Sequence, residues 1–536
     1  MTDVPRIVRN DWSTLQVPEL GRWRPELTVS VVIPAYQCQA SLDLALAALS
    51  RQTYPAELLD VVVVDDGSDP PLTLPGLRPA RCRLVRPAAG WGRANALHAG
   101  AGHAGGDILH WLDADLIVDP SHVEAQARWH HRLPYAVTLG WKRFVDVHPD
   151  GPSWPTPAQA TDPDALAGLF AGHRTEPHDY VEREIARTGQ LRSADHLGFL
   201  VHVGATAALR RELYEATGGI DTGLRLGEDT EFGYRLAQAG AVFVPEPQAR
   251  SWHLGATHMM RHEQALQRYN RPFLAERMPQ PRWLRRSGGS GWSVPLVTVV
   301  MTVDGQPLER VRVAVDSVLR GDETDLRVLL VGAWGSLSDQ RVSPLSDPLL
   351  DLRLVAASYR SDPRVRLVER APDSAYPSPF LLWVPATCAL ARPAVRRLVE
   401  HADRHRLGLV RVPDAEAGSG SGSASGSGST VELWRTAALH RAGWVRRDGD
   451  PVADAVREVH GAGSVDAKAI GVVDLSDVPV AELAARAGSV PAGRWLPASV
   501  EVAGVRSLAR ASWVVARLAA ARLARRAGSR LRGRAV

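Results

Sequence analysis

Asp113 and Asp115 stand one residue apart at the end of the apolar run Asp107-Ile-Leu-His-Trp-Leu112. Two carboxylates so spaced, just past a buried strand, can hold a divalent cation. They fall where open α/β sheets bind ligands, outside the carboxyl ends of the strands. Asp-x-Asp also marks ordinary turns, so its meaning depends on its surroundings. A second acidic pair, Asp65-Asp66, closes the run Leu58-Leu-Asp-Val-Val-Val-Val64 and leads into Gly67-Ser68. Asp-Gly-Ser is good turn chemistry in any protein. A carboxylate there could also accept a hydrogen bond from a base N–H and recognise uracil or guanine, although it could not bind a phosphate directly.

The elements that must position these groups can be read from the pattern. Thr28-Val-Ser-Val-Val-Ile-Pro-Ala-Tyr36 is a β-branched stretch ended by a proline, and predicts a first core strand. Ser41 to Gln52 has helical spacing, with Leu42, Ala45, Leu46 and Leu49 on its apolar side. Leu58 to Val64 predicts a second strand, and continuous apolar runs suit a sheet covered on both faces. Strand, helix and strand with turn residues at the strand ends make a βαβ unit, so the fold class is a doubly wound α/β domain. No Gly-x-Gly-x-x-Gly follows the first strand, which argues against an ordinary dinucleotide-binding domain. Residues 146–197 are rich in Pro, His, Asp and Gly, with one helical stretch from Asp179 to Thr188. Such inserts form either the acceptor side of a cleft or a surface excursion.

Composition sets the frame. A chain of 536 residues, 45% hydrophobic and 23% charged, has room for two or three globular domains. Cys38, Cys82 and Cys388 lie far apart without metal-ligand spacing and read as reduced thiols. No apolar run is long enough to span a bilayer, and Met1 to Trp12 lacks a signal-peptide pattern. The expectation is a cytoplasmic protein, or one held peripherally at the inner face of the plasma membrane. Only two lysines, Lys142 and Lys468, accompany the many arginines, a bias read as genomic composition and not function.

Several motifs occur in one order. Val31-Val-Ile-Pro-Ala-Tyr36, Val62-Val-Val-Asp-Asp-Gly-Ser68, Gly92-Arg-Ala-Asn95 and Trp111-Leu-Asp-Ala-Asp115 resemble family 2 nucleotide-sugar glycosyltransferases of GT-A fold. Gly218-Gly219 and Gly227-Glu-Asp-Thr-Glu-Phe-Gly-Tyr-Arg-Leu236 resemble that family's acceptor half. The Gly-Glu-Asp form is similar to chondroitin-polymerase-like and polypeptide galactosaminyltransferase-like members. The resemblance covers residues 27–260 and implies an inverting, metal-dependent enzyme using a UDP- or GDP-sugar. It implies that Asp66, or less favourably Asp65, binds the base, with Pro34, Tyr36 and Arg93 near the nucleotide. Asp113 would approach the ribose, and Asp115 and His253 would hold Mn²⁺ or Mg²⁺, with His258 as the fallback ligand. Asp229 would be the general base and Glu228 would hold the acceptor sugar. A plainer reading is that Gly-Glu-Asp-Thr-Glu caps a helix with Asp at its start; both can hold together.

The second half repeats the shape of the first. Leu296-Val-Thr-Val-Val-Met-Thr-Val303 parallels Leu27 to Pro34, Leu308 to Leu319 parallels the first helix, and Arg327 to Val331 parallels the second strand. Phe380-Leu-Leu-Trp-Val-Pro-Ala-Thr387 aligns with Ile108 to Asp115, and Trp434-Arg-Thr-Ala-Ala-Leu-His440 with Gly204 to Arg210. Gly332-Ala-Trp-Gly-Ser336 replaces Asp-Asp-Gly-Ser, Pro385 and Thr387 replace the two carboxylates, and Asp450-Pro-Val-Ala stands in the base region. The expected organisation is an N-terminal extension (1–26), a catalytic domain (27–286), and a degenerate GT-A-like domain (293–500) interrupted by a Gly/Ser loop at 418–429. A basic tail (501–536) closes the chain. That tail carries nine arginines after Glu501 and no further acid. It suits either an anionic membrane surface or docking on its own protein. Nucleic acid is not an expected partner, because the whole chain carries a net charge of only +4. The expected activity is sugar transfer to a hydroxyl of a glycan or a lipid-linked cell-envelope acceptor. The alternatives are a non-catalytic sugar-nucleotide-binding scaffold and, less favourably, a sugar nucleotidyltransferase, which would need a phosphate loop where Pro34-Ala-Tyr-Gln lies.

Overall fold

A computed structural model describes residues 4–151, 153–162, 168–285, 291–413 and 430–486. The Gly/Ser run and the basic tail lie outside the described residues. Residues Met1–Asp477 cluster as one unit and Val478–Val536 as another, whose described part holds a short helix, Val480–Arg486.

The first sheet is built from β1 (Val29–Ala35), β2 (Leu59–Asp65), β3 (Cys82–Val85), β4 (Ile108–Trp111), β5 (Leu116–Val118), β6 (Ala136–Val145), β7 (Thr175–Pro177), β8 (Ala207–Arg210) and β9 (Val242–Leu254). Their order is β3-β2-β1-β4-β8-β6-β9-β5, with β7 on β6. The first four are mutually parallel, and β8 runs antiparallel between β4 and β6. This is the α/β architecture expected of a GT-A domain. Strand β1 is central because Val31, Val32 and Ile33 are fully buried, with apolar clusters above and below. Pro34 is tolerated there because β4 pairs with β1 only as far as Val32. The N–H that proline lacks would have pointed at a partner strand that has already ended. The first helix is Gln39–Leu49, starting two residues before the expected Ser41.

Under β4 lies a buried polar network that the sequence did not announce. His110 and His122 stack at 5.2 Å, and the Gln126 amide lies 3.2 and 3.1 Å from their Nε2 atoms. Thr138 donates to Gln126 Oε1 at 2.9 Å and sits 3.0 Å from His130 Nε2. Burial pushes His122 down to about 4 and His130 down to about 3, so all three imidazoles are held neutral. Unfolding frees them to bind protons near their ordinary 6.5. Folding stability is therefore fully present above pH 6.5 and falls as the pH drops from there toward 4. Each histidine contributes a slope of up to about 1.4 kcal/mol per pH unit. Urea denaturation at pH 7.5 and pH 5 will show this loss, and His130→Gln will flatten it.

The second half holds β10 (Val297–Thr302), β11 (Leu326–Val331), β12 (Val365–Val368), β13 (Phe380–Trp383), β14 (Cys388–Leu390), β15 (Leu409–Val412), β16 (Val431–Arg435), β17 (Ala462–Ser464) and β18 (Val472–Asp474); β14 and β18 form a two-stranded sheet of their own and the others the second main sheet. Its order, β12-β11-β10-β13-β16-β15-β17, repeats β3-β2-β1-β4-β8-β6-β9. Each neighbouring pair keeps the same sense, and β14 pairs with β18 as β5 pairs with the end of β9. The registers match too: Val29 faces Leu59 and Ile108, while Val297 faces Leu326 and Phe380. One alignment needs correction. Ile108 faces Arg210 and Phe380 faces Arg435, so Arg435 and not His440 is the counterpart of Arg210. The similar Thr-Ala-Ala-Leu stretches lie on β8 and its approach in the first half, but open the helix Thr436–Val445 in the second.

The two sheets share a tight joint. The buried Arg441 guanidinium donates to the carbonyls of Ala241 (2.7 Å), Arg9 (2.8 Å), Ile7 (3.2 Å) and Gly240. Gly240 has φ +86°, and a Cβ there would lie 2.6 Å from the Arg441 nitrogen, so the backbones meet only at glycine. Tyr234 donates to Pro377 O at 2.5 Å, and Arg285 pairs with Asp325 at 2.7 Å.

Candidate active site

The turn after β4 carries Asp113-Ala-Asp115 directly into β5, and Leu116 pairs with His253 on β9. Asp113, Asp115 and His253 are thereby gathered, each offering a ligand atom within 4.8 Å of the others. His253 Nε2 lies 3.5 Å from Asp115 Oδ1. Its Nδ1 lies 3.0 Å from Gly255 O, which fixes Nδ1 as the N–H donor. The Nε2 lone pair is then free, which is how a metal-ligating histidine is set by its outer partner. Burial raises the Asp115 carboxyl above its ordinary value, against the pull of His253. Asp115 Oδ1 is buried without a hydrogen-bond partner. An orphaned carboxylate oxygen 3.5 Å from the Nε2 of an imidazole whose Nδ1 is bonded to a carbonyl fits a divalent cation.

Arg93 is the first residue of the helix Arg93–His103 and joins the two halves of the site. Its Nε and Nη2 donate to Asp113 Oδ1 at 3.0 and 2.8 Å, and its Nη1 donates to Glu228 Oε1 at 2.7 Å. Burial alone would lower the guanidinium pKa, but Asp113, Glu228 and Asp229 outweigh it and raise it. Burial likewise acts to raise Asp113, yet Arg93 holds that carboxyl below its usual range. At Glu228 burial wins and the carboxyl is raised. Arg93 was expected beside the nucleotide; its hydrogen bonds are to Asp113 and Glu228. Arg93→Met leaves two carboxylates facing each other unpaired. We expect a loss of about 2–3 kcal/mol of stability by urea denaturation, with Arg93→Lys recovering only part of it.

Glu228 and Asp229 open the helix Glu228–Gln238. Asp229 was expected as the cap residue. Instead Gly227 takes that place in the left-handed region at φ +77°, and Asp229 lies within the first turn. Its Oδ1 accepts from Thr230 N at 2.7 Å, and its backbone carbonyl lies 2.7 Å from His202 Nδ1.

On the other side of the sheet end, Asp66 Oδ2 accepts the Gly92 N–H at 2.7 Å, and burial raises its carboxyl. Tyr36 is 60% exposed at the end of β1, past Pro34. Asp65 is excluded as a base reader. Its side chain is fully buried, binding Ser68 N (2.8 Å) and Arg86 Nη2 (2.7 Å), and so serves the turn itself. The residues 146–197 are not all irregular, since β7 adds to β6 and a helix follows at Asp179–Arg187.

Lys142 on β6 escaped the sequence reading. It is 7% exposed, and its ammonium pKa is lowered by burial against the pull of Asp113, Asp229 and Asp115. With His178, Glu182 and Thr206 it lines a small cleft. The available signal was its rarity, a lysine inside an apolar strand of a chain with two. Trp91, 62% exposed, carries the Arg225 guanidinium 4.4 Å above its ring.

Residues 30–218 match the model of glycosyl transferase family 2. The matched stretch takes in the first sheet from β1 through β8 and leaves out β9. The chain is 30% identical over 251 residues to validoxylamine A glucosyltransferase of Streptomyces hygroscopicus subsp. limoneus, covering 44% of this chain and 53% of that one. It is 35% identical over 113 residues to undecaprenyl-phosphate 4-deoxy-4-formamido-L-arabinose transferase of Serratia proteamaculans, covering 19% and 34%. The chain thus spans about half, or less, of the length of the curated relatives it matches. Among solved structures, the mannosyltransferase PcManGT from Pyrobaculum calidifontis, in complex with GDP-Man and Mn²⁺, is similar at 19% identity and TM-score 0.30. That similarity covers 48% of this chain and 63% of that one. The family 2 match ends at residue 218, so Glu228, Asp229 and His253 stand outside it.

Proposed function

We propose that the family 2 domain transfers a sugar, with inversion, from a UDP- or GDP-sugar to a hydroxyl of a glycan or lipid-linked acceptor. The observation that carries this reading is the meeting of the Asp113, Asp115 and His253 ligand atoms beside the Arg93–Glu228 pair, next to Asp229. Asp115 and His253, with Asp113 beside them, are the donors for Mn²⁺ or Mg²⁺. Such an ion, when bound, supplies positive charge to the departing diphosphate. Asp66 reads the base once the Gly92 N–H gives way, and Pro34 and Tyr36 border the nucleotide. Arg93 holds Asp113 and Glu228 in fixed positions, Glu228 receives the acceptor sugar, and Asp229 takes the proton of the attacking hydroxyl. One base suffices for in-line attack opposite the leaving group.

Two relatives support this choice of acceptor classes: one is a validoxylamine A glucosyltransferase and the other an undecaprenyl-phosphate 4-deoxy-4-formamido-L-arabinose transferase. A lipid-linked acceptor would place the protein at the cytoplasmic face of a membrane, with the tail at 501–536 on anionic lipid. Among the described residues no helix is long and apolar enough to cross a membrane. The second sheet we take as a non-catalytic copy. Laid on the first through the shared registers, it has Gly332 and Ala333 at Asp65 and Asp66, Pro385 and Thr387 at Asp113 and Asp115, and Asp474 at His253. Its equivalent helix, Val452–His460, begins with Val452 and Ala453 where Glu228 and Asp229 would stand.

The test is nucleoside diphosphate release from a panel of UDP- and GDP-sugars with Mn²⁺ and candidate acceptors. Metal-dependent release with one donor supports the reading, and absence of binding to every nucleotide-sugar overturns it.

A further inference from the structure

The joint between the sheets holds a second pocket, at the far end of the helix Glu228–Gln238 from the candidate base. At 1.5 Å per residue that places it roughly 15 Å from Asp229. Three parts of the chain build it: the N-terminal segment with Arg9, the first domain with Gln238, Phe199 and His196, and the second domain with Arg406, Arg435, Arg441 and His460.

Its charge is lopsided. Four arginines line it against two acids, Asp195 and Asp403. Asp403 is occupied by Arg435 at 2.7 Å, and Asp195 Oδ1 accepts from Leu197 N at 2.8 Å. Arg441 is 2% exposed and spends its donors on backbone carbonyls. Burial pushes it down to about 10, so it keeps its charge at neutral pH. No carboxylate among the described residues pairs with Arg9, Arg406 or Arg441. Arg9 feels both Arg406 and Arg435, so the guanidinium groups crowd together in the absence of a counter-charge.

The pocket also holds buried polar atoms with nothing to bind. Arg9 Nε, Gln238 Oε1 and His460 Nδ1 have no hydrogen-bond partner, and the Gln238 side chain is 3% exposed. Buried polar atoms left unmatched are costly, so several facing one cavity point to a ligand that matches them. Gln238 can turn its amide to present either oxygen or N–H₂. Facing the arginines is an apolar wall of Leu191, Ala194 and Phe199.

We propose that this pocket binds a small phosphorylated molecule. Its phosphoryl oxygens meet the Arg9 and Arg406 guanidinium groups, and its body lies on the apolar wall. Planar guanidinium forks match phosphoryl oxygens in geometry as well as charge. The pocket is separate from the sugar-nucleotide cleft and needs none of its carboxylates.

The experiment titrates the full chain, in EDTA and at constant ionic strength, with inorganic phosphate and with phenyl phosphate. Melting temperature and isothermal calorimetry are the readouts, and chloride is the control. The expected result is a saturable rise in Tm of several degrees. Tenfold or tighter binding of phenyl phosphate would assign the site to an organic phosphate ester, and equal binding would assign it to free phosphate. Arg9→Gln with Arg406→Gln weakens both at least tenfold, while the unliganded Tm stays within about a degree, since neither guanidinium carries a structural ion pair. Arg406→Gln alone, at an exposed position, gives a smaller loss of the same sign. No saturable shift with either compound overturns the proposal. So does a shift that survives in the double variant, because the anion would then be binding in the catalytic cleft.

Discussion

Asp229→Ala lowers kcat for sugar transfer about a thousandfold and leaves donor affinity unchanged. A positioned general base contributes roughly 10²–10⁴ in rate, and a thousandfold is about 4 kcal/mol at the transition state. The carboxylate sits in the first turn of its helix, oriented by the Thr230 N–H, and Glu228 beside it is already committed to Arg93. Asp229→Asn keeps the shape and still accepts from Thr230 but cannot take a proton, so it falls by a similar factor. Kinetics with donor binding measured separately decide the matter. A retained kcat in both variants would place proton removal on another group, Glu228 first.

Asp115→Ala has an effect of similar size by a different route. Several kcal/mol of charge stabilisation at the leaving diphosphate would go, so activity falls about a thousandfold and the residue of it stops responding to Mn²⁺. His253→Ala acts in the same direction. Asp115 also makes a prediction about stability with the opposite sign. Burial raises its carboxyl in the folded state. The unfolded chain gives up this proton at lower pH than the folded one. Ionisation therefore opposes folding, and the penalty is fully present above the folded-state value, at neutral pH. Asp115→Asn removes it, so without metal the variant melts about a few degrees higher than wild type while being inactive. Equal or lower Tm in the variant would argue that the carboxylate is satisfied without a cation.

Much of this was legible because the groups lie at ends of elements with strong patterns. The all-buried runs around Val31 and Val62 announce central strands, and turn chemistry at their ends leaves few places for Asp66 and Asp113 to be. What escaped depended on contacts distant in sequence. The role of Arg93 is set by Glu228, 135 residues later. Nothing in the Asp65-Asp66 pair says which carboxylate is consumed by Arg86 and Ser68, since the two acids are adjacent and close the same apolar run. Lys142 was dismissed as composition because burial of one ammonium is a property of the sheet's inner face and not of its neighbours in sequence. The repeat of shape was visible in strand patterns, but the comparison of His440 with Arg210 followed small residues that serve a strand in one half and a helix in the other.

The grip of Arg441 on Gly240 and Ala241 bears on how such a chain is inherited. A gene shortened to its first half would leave those carbonyls, the carbonyls of Ile7 and Arg9, and the Tyr234 hydroxyl without these partners. The second half can thus be retained by selection even with no substrate of its own, as part of the folding unit of the first. Under that constraint Pro385 and Thr387, which stand in register where the first half has Asp113 and Asp115, occupy positions free to vary, whereas the residues at the joint do not.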